Sequence, residues 1–374
     1  MFLLFDKLDF SLPLWLLVFS ASVLSFFITY FSIPVIVKIS KHKGIFDIPN
    51  DRKIHDKPTP LLGGLAVFCG LALSVVIFCP ENGYRELVYL LGGLIALMTL
   101  GLKDDILVIN PKKKLIGLFL AAGIIVILGD IRITDFHGIF GINKIGYISS
   151  AVFSVLLIVF FIVSLNFIDG VDGLAAAIGC IGALFYGIWF MLKGNILMAV
   201  ISFSTISALA AFIRFNVFST ENKIFLGDAG AMITGLISAV LTIEFLEGQS
   251  SDPAGMRISR APFLSGGLYF ILFVDAIRVL VNRLIDGNPF KSGKNHIHHI
   301  LVERGLTQKS TAIILITLNN LIIISFFLLR NTSPTALFIY SVILALILII
   351  TVEYIRIGNQ KRRLESFTGR EIRE

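Results

Sequence analysis

The stretch Asn166-Phe-Ile-Asp-Gly-Val-Asp-Gly-Leu-Ala175 separates two apolar runs, 149–166 and 174–192, each long enough to cross a hydrocarbon layer. Asn166, Asp169 and Asp172 follow one another at i, i+3 spacing, which on a helix-like turn puts three oxygen-bearing side chains along one stripe. An ionisable residue at membrane depth is a functional hypothesis in its own right, and oxygen donors suit a hard cation such as Mg²⁺. The plainer alternative is a tight turn, because Asp-Gly pairs are common turn residues. The flanking runs decide the class: this is a chain of membrane helices, and its polar clusters need a reason to be there.

Composition agrees with that class. Of 374 residues, 56% are hydrophobic and only 15% charged; the mean hydropathy of +0.88 lies outside the balance of a soluble domain. Apolar runs fall near 12–37, 61–78, 86–102, 115–129, 149–166, 174–192, 196–215, 230–247, 262–285, 311–329 and 335–355. They predict an all-α polytopic membrane protein of about 11 transmembrane helices. The first run is longer than a signal-peptide core and leads into a basic loop, so it reads as a retained span. Residues 1–374 read as one integral membrane domain ending in a basic tail, 356–374. Three cysteines without CxxC spacing, Cys69, Cys79 and Cys180, support neither a zinc site nor a disulfide framework.

Charge then orients the chain. If the helices alternate in direction, loops 38–60, 103–114, 216–229 and 286–309, the tail and the adjoining helix ends hold 24 of the 32 Lys and Arg residues, against 8 on the other face. The positive-inside rule makes the richer face cytoplasmic, with the N-terminus outside, the C-terminus inside and residence in the cytoplasmic (inner) membrane. The net charge of +7 is then accounted for by contact with anionic membrane lipid, without nucleic acid. On the outer face, segment 130–149 alternates Gly with β-branched and aromatic residues and predicts a small hairpin or a surface-lying stretch.

Four polar constellations all fall on the predicted cytoplasmic face. The loop Asp47-Ile-Pro-Asn-Asp-Arg-Lys-Ile-His-Asp-Lys-Pro-Thr-Pro-Leu-Leu-Gly-Gly64 is stiffened by prolines, and its Gly pair allows close backbone approach. In Lys103-Asp-Asp-Ile-Leu-Val-Ile-Asn-Pro-Lys-Lys-Lys114, adjacent carboxylates suit a general base or a Mg²⁺ neighbour, and the lysines suit a phosphate. The stretch 166–175 is the third. The fourth pairs Asn216 and Lys223-Ile-Phe-Leu-Gly-Asp-Ala-Gly230 with the loop running from Asp286 to His296-Ile-His-His299. Asp228 between glycines at a helix start offers a carboxylate beside free amides, and Phe225 offers a face for a base. The histidines serve equally for hydrogen bonding to phosphate, for metal ligation or for structure.

In order, these motifs resemble the polyprenyl-phosphate N-acetylhexosamine-1-phosphate transferases, the glycosyltransferase 4 relatives of phospho-MurNAc-pentapeptide translocase. The resemblance covers about residues 40–305, and DGxDGLA followed by FxGD is its specific part. It implies a Mg²⁺-dependent enzyme, with Mn²⁺ as a substitute. The enzyme would move HexNAc-1-phosphate, by default GlcNAc-1-phosphate, from a UDP-HexNAc to undecaprenyl or another polyprenyl phosphate, releasing UMP and opening a cell-surface glycan. A homodimer is left open. Carried over residue by residue, Asp228 would be a metal ligand, with Asp172 or Asn166 near the same ion. Asp104 and Asp105 would position or deprotonate the lipid phosphate, and Asp169 would face the sugar phosphate. Asn216 and Phe225 would hold uracil, with Lys57 near the nucleotide, and Lys112, Lys114, His296, His298 and His299 would contact phosphates.

Two departures from the family pattern concern sugar choice: Val108 stands where some relatives carry a third carboxylate, and Ser292-Gly293 precedes the histidines where many carry an acid. A lipid or sugar transporter is the competing class. It predicts an internal repeat and charges near mid-helix, whereas no repeat is visible and these carboxylates lie at helix ends. A CDP-alcohol phosphotransferase would require further Asp residues at fixed spacing after Asp172, and they are absent.

Overall fold

A computed structural model describes residues 13–47, 58–139, 141–250, 258–289, 293 and 295–371. Lys57, with the rest of 48–57, and Ser292 lie outside the described residues. The chain folds into thirteen α-helices among the described residues: α1 Leu14–Lys43, α2 Gly63–Phe78, α3 Tyr84–Leu107, α4 Pro111–Gly123, α5 Tyr147–Ile168, α6 Leu174–Lys193, α7 Ile196–Asn216, α8 Gly227–Ser250, α9 Ala261–Leu268, α10 Phe270–Ile285, α11 Ile297–Glu303, α12 Gln308–Leu328 and α13 Pro334–Glu371. Helices satisfy their own backbone polar groups, which a chain this apolar requires.

Eight of these helices are long and apolar enough to span a membrane, nine if α9 and α10 count as one bent span. This is the expected all-α polytopic architecture, but length and composition support fewer spans than the eleven read from hydropathy. Two expected runs fall short for identifiable reasons. Helix α2 has only 16 residues, and the run 115–129 is divided between α4 and a π-helical turn, Ile124–Leu128. The tail also differs from expectation: α13 continues through it to Glu371 instead of ending near 355.

Helix α8 is the axis of the bundle, enclosed almost completely by α2, α3, α5 and α6. Between helices in lipid, close packing of small residues replaces much of the hydrophobic drive. Such contacts ring the helix: Gly64 of α2 lies against Gly230, Gly101 of α3 against Ala229, and Gly235 against the backbone of Ile162 in α5. Over 24 residues α8 runs about 36 Å. At its far end Glu247 accepts from Thr134 N at 2.7 Å and Thr134 Oγ1 at 2.6 Å. Thr134 leads into the predicted hairpin, which forms from strands β1 Asp135–Ile139 and β2 Ile142–Lys144. The hairpin and Asp228 therefore sit at opposite ends of one helix.

The expected run 262–285 is broken by a 73° bend between α9 and α10. Tyr269 at the break is fully buried, with its ring 5.0 Å from that of Phe161 and its hydroxyl where a side chain at Gly182 would have to go. A break in lipid frees backbone groups, and Asn319 of α12 takes them up. Its Nδ2 donates to Leu268 O at 2.9 Å and its Oδ1 accepts from Ile271 N at 3.4 Å.

Gly101→Val should overpack the α3–α8 contact and lower the thermal unfolding midpoint in detergent, at a cost of about 1–3 kcal/mol. Gly266→Ala, with nothing within 4 Å of the added carbon, should leave the midpoint unchanged. Equal shifts in the two variants would show that small-residue contacts do not hold α8 in place.

Candidate active site

The site is assembled by turns at one end of the bundle. Asn110 caps α4, accepting from Lys112 N at 2.9 Å, and Pro111 occupies the first turn. Just before it, Asp104 Oδ1 accepts from Ile109 N at 2.6 Å, closing the connection from α3. Val108 in that connection has φ 50°, costly for a β-branched residue. The turn brings Lys114 back over the end of α3, with its ammonium 2.8 Å from Asp104 Oδ2, 2.8 Å from Asp228 Oδ2 and 3.3 Å from Asn166 Oδ1. Asn166 Nδ2 donates to Asp228 Oδ1 at 2.6 Å. Of the two candidates beside Asp228, Asn166 is the one in contact.

Asp105 faces the other way. Its oxygens accept from the amides of Asp228 at 2.8 Å and Ala229 at 3.3 Å, at the opening of α8. Gly227 with φ 73° makes the turn into that helix, against Leu61 O and the Asp105 carboxylate. The same junction is laced to the first loop: Phe225 N donates to Pro60 O at 2.8 Å, Gly63 N to Phe225 O at 3.0 Å and Gly64 N to Leu226 O at 2.8 Å. Here the Gly pair makes the close approach its sequence suggested. Asn216 is buried and donates to Ile224 O at 2.8 Å, so it shapes the loop bearing Phe225, whose ring is partly exposed.

The central turn divides its three polar residues. Asp172 pairs with Lys223 at 2.6 Å, and that ammonium lies 5.7 Å from the Phe225 ring centroid. Gly170 lies against His298 Nε2, in space that a β-carbon would fill. His298 is fully buried, and its ring lies 5.7 Å from that of His296 and 4.3 Å from that of His299. Burial first, then the neighbouring His299 and His296, holds His298 well below the usual histidine range despite Asp275. It is a neutral ring wedged under the turn. Lys112 is exposed and outside the cluster.

Two carboxylates and a carboxamide oxygen thus converge on one positive charge, an all-oxygen set that fits a hard cation. Among the described residues no three His, Cys, Asp or Glu side chains are arranged to hold a metal by themselves. Asn166 or an oxygen of a bound ligand would have to complete the shell.

The model described as glycosyl transferase family 4 matches residues 87–246. Over 313 residues the chain is 30% identical to a decaprenyl-phosphate N-acetylglucosaminephosphotransferase of Mycolicibacterium smegmatis, covering 77% of this chain and 76% of that one. The chain belongs to glycosyl transferase family 4. It is also 27% identical over 291 residues to an undecaprenyl-phosphate alpha-N-acetylglucosaminyl 1-phosphate transferase of Escherichia coli (strain K12), covering 75% of each chain. A probable undecaprenyl-phosphate N-acetylglucosaminyl 1-phosphate transferase of Bacillus subtilis is 26% identical over 303 residues, covering 80% of this chain and 81% of its own length.

Three charged residues at the site end of this family 4 member carry no role in the motif pattern. Lys223 opens the Lys223–Gly230 motif, and Asp275 and Arg278 lie outside the four constellations. The signal for Asp275 is local, because an Asp inside Phe270-Ile-Leu-Phe-Val-Asp-Ala-Ile is an ionisable residue in an apolar run.

Burial, followed by the carboxylates of Asp228, Asp105 and Asp172, pushes Asp169 well above the usual carboxylate range. An acid raised in this way binds its proton more tightly folded than unfolded, so its ionisation opposes folding. The penalty is absent below the unfolded value, about pH 4, and grows as pH rises through the folded one. Asp169→Asn should therefore raise the unfolding midpoint in metal-free buffer at pH 8 and flatten its pH dependence. A variant less stable than its parent at pH 8 would show an ionised, paired Asp169.

Proposed function

We propose that the protein transfers N-acetylhexosamine-1-phosphate, GlcNAc-1-phosphate by default, from a UDP-sugar to a polyprenyl phosphate, releasing UMP. The observation that carries this reading is the convergence of Asp104, Lys114, Asn166 and Asp228, from three separate motifs, at the start of α8. The E. coli and M. smegmatis relatives, whose names specify GlcNAc-phosphate transfer to undecaprenyl and decaprenyl phosphate, support it.

In the reaction an oxygen of the lipid phosphate attacks the β-phosphorus of the donor; a P–O bond forms there, and the bond to the bridging oxygen breaks as UMP leaves. Both reactants are anions, so charge neutralisation and alignment are the main tasks. Lys114 supplies a positive charge at the crossing point, held by Asp104 and Asp228. Asp228, Asp104 and Asn166 are the residues that would hold Mg²⁺, which supplies Lewis-acid polarisation of the phosphoryl oxygens. A phosphate monoester is largely dianionic near neutral pH, its second pKa being about 6, so the acceptor needs no general base. Asp105, committed to the amides of α8, aims Asp228 instead of taking a proton. The partly exposed Phe225 ring gives the donor base a surface on which to stack, with Lys223 beside it. Eleven crossings with the site end cytoplasmic in the inner membrane complete the proposal, supported by the Lys and Arg asymmetry and the grouping of the motif loops at one end of α8.

Purified protein given UDP-GlcNAc, undecaprenyl phosphate and Mg²⁺ should yield lipid-linked product and UMP. Asp228→Asn should lower turnover about 100-fold or more while leaving the protein folded, the scale of losing a preorganised charge contact. If a broad panel of UDP-sugars gives no UMP, the transferase reading fails; full turnover in EDTA would remove the metal from it.

A further inference from the structure

A second ionic cluster lies beside the histidines and reaches the last helix. Asp275 and Arg278 of α10 are each only 4% exposed. Asp275 Oδ1 accepts from Arg278 Nη2 at 2.7 Å and from Ile297 N at 3.1 Å, and its Oδ2 lies 3.0 Å from His296 Nδ1. Arg278 Nη2 also donates to Asn295 O, and its Nη1 donates to Glu353 Oε1 of α13 at 2.8 Å. Glu353 is held in turn by Arg356 Nε at 2.6 Å, and Asn359, one turn on, donates to Ile300 O of α11 at 3.0 Å.

Buried ion pairs are weak sources of stability, and apolar residues of the same size serve a bundle in lipid at least as well. What this cluster supplies is direction. An ionised carboxylate only accepts, so Asp275 requires a proton on Nδ1 of His296. The bonds to Ile297 N and Asn295 O set where α11 begins. The start of α11 sets His298, stacked on His296 and seated against Gly170 in the turn that carries Asp169 and Asp172.

We propose that Asp275 and Arg278, clamped by Glu353 of the last helix, are positioning residues that hold a proton on His296 Nδ1 and seat the histidine loop against the Asp169–Asp172 turn. The C-terminal helix is thereby a working part of the active site, although it lies outside the motif-bearing region. This rests on the transferase reading, which the unaltered protein tests separately by its own turnover.

The experiment compares full-length Glu353→Leu, Glu353→Gln and Asp275→Asn with the parent, using UDP-GlcNAc and undecaprenyl phosphate and scoring folded protein by size-exclusion profile and thermal midpoint. Glu353→Leu and Asp275→Asn should lower kcat per folded molecule by about 10- to 100-fold, the usual cost of losing an orienting partner, with KM for the lipid acceptor unchanged. Glu353→Gln, which still accepts from Arg278, should keep kcat within about threefold of the parent. The proposal is overturned if Glu353→Leu keeps the parent's kcat, if the Leu and Gln variants fall equally, or if every loss tracks the folded fraction. Because Glu353 stands at the rim of the cluster, its pair of variants decides the matter even if Asp275→Asn does not fold.

Discussion

The first turn of α8 opens with amides that have no acceptor inside the helix, and Asp105 supplies one for two of them. A charged acceptor on a backbone amide is worth about 1.5–3 kcal/mol, more than an ordinary hydrogen bond. Its position matters more than its strength. Asp105 comes from α3, so the bond ties the end of one helix to the start of the enclosed helix, and Asp228 is the residue whose amide is tied. Gly101 against Ala229 and Gly64 against Gly230 close the same joint from two sides. The direction of the Asp228 side chain is therefore set by backbone packing before any ligand arrives.

Once that joint is made, like charges accumulate. Asp104, Asp105, Asp169 and Asp228 meet at one end of the bundle with Lys114 as the cation among them. A site of this kind is costly when empty of other cations, and the same cost favours binding of a divalent ion and an anionic substrate together. Buried carboxylates without enough positive charge are a strain that a fold keeps only when something relieves it. The reaction proposed here brings that relief, because it needs positive charge where two phosphates approach.

The histidine loop repeats the device used at α8. Asp275 accepts from Ile297 N at the start of α11, as Asp105 does at the start of α8. In both places a carboxylate on one helix fixes where another begins, and the aimed residue is the neighbour, Asp228 or His296. The bend at Tyr269, satisfied by Asn319, is what brings α10 across so that Asp275 can reach that loop. Structural polar residues in the bundle thus divide between repairing broken backbone and aiming side chains.

Much of this was legible in the sequence because hydropathy and local spacing are local properties. The apolar runs imply spanning helices, the Gly pair at 63–64 implies a close approach, and Asn166, Asp169 and Asp172 imply a polar turn between two of those helices. Which of the three would meet Asp228 was not local. Asn166 lies at the end of α5 and reaches it, while Asp172, beyond Gly170, turns away to Lys223. Asp104 and Asp105 look equivalent in the chain, yet as helix neighbours they point in different directions, one to Lys114 and one to the amides of α8. The sequence by itself determined the membrane class, the motif set and the kind of chemistry, since these follow from composition and from residue type at short spacing. The tertiary structure alone decided the partners: which carboxylate meets the ammonium, which caps a helix, and that the last helix reaches the histidines. Those contacts join residues far apart in the chain, and only the packing of helices about α8 sets the distances between them.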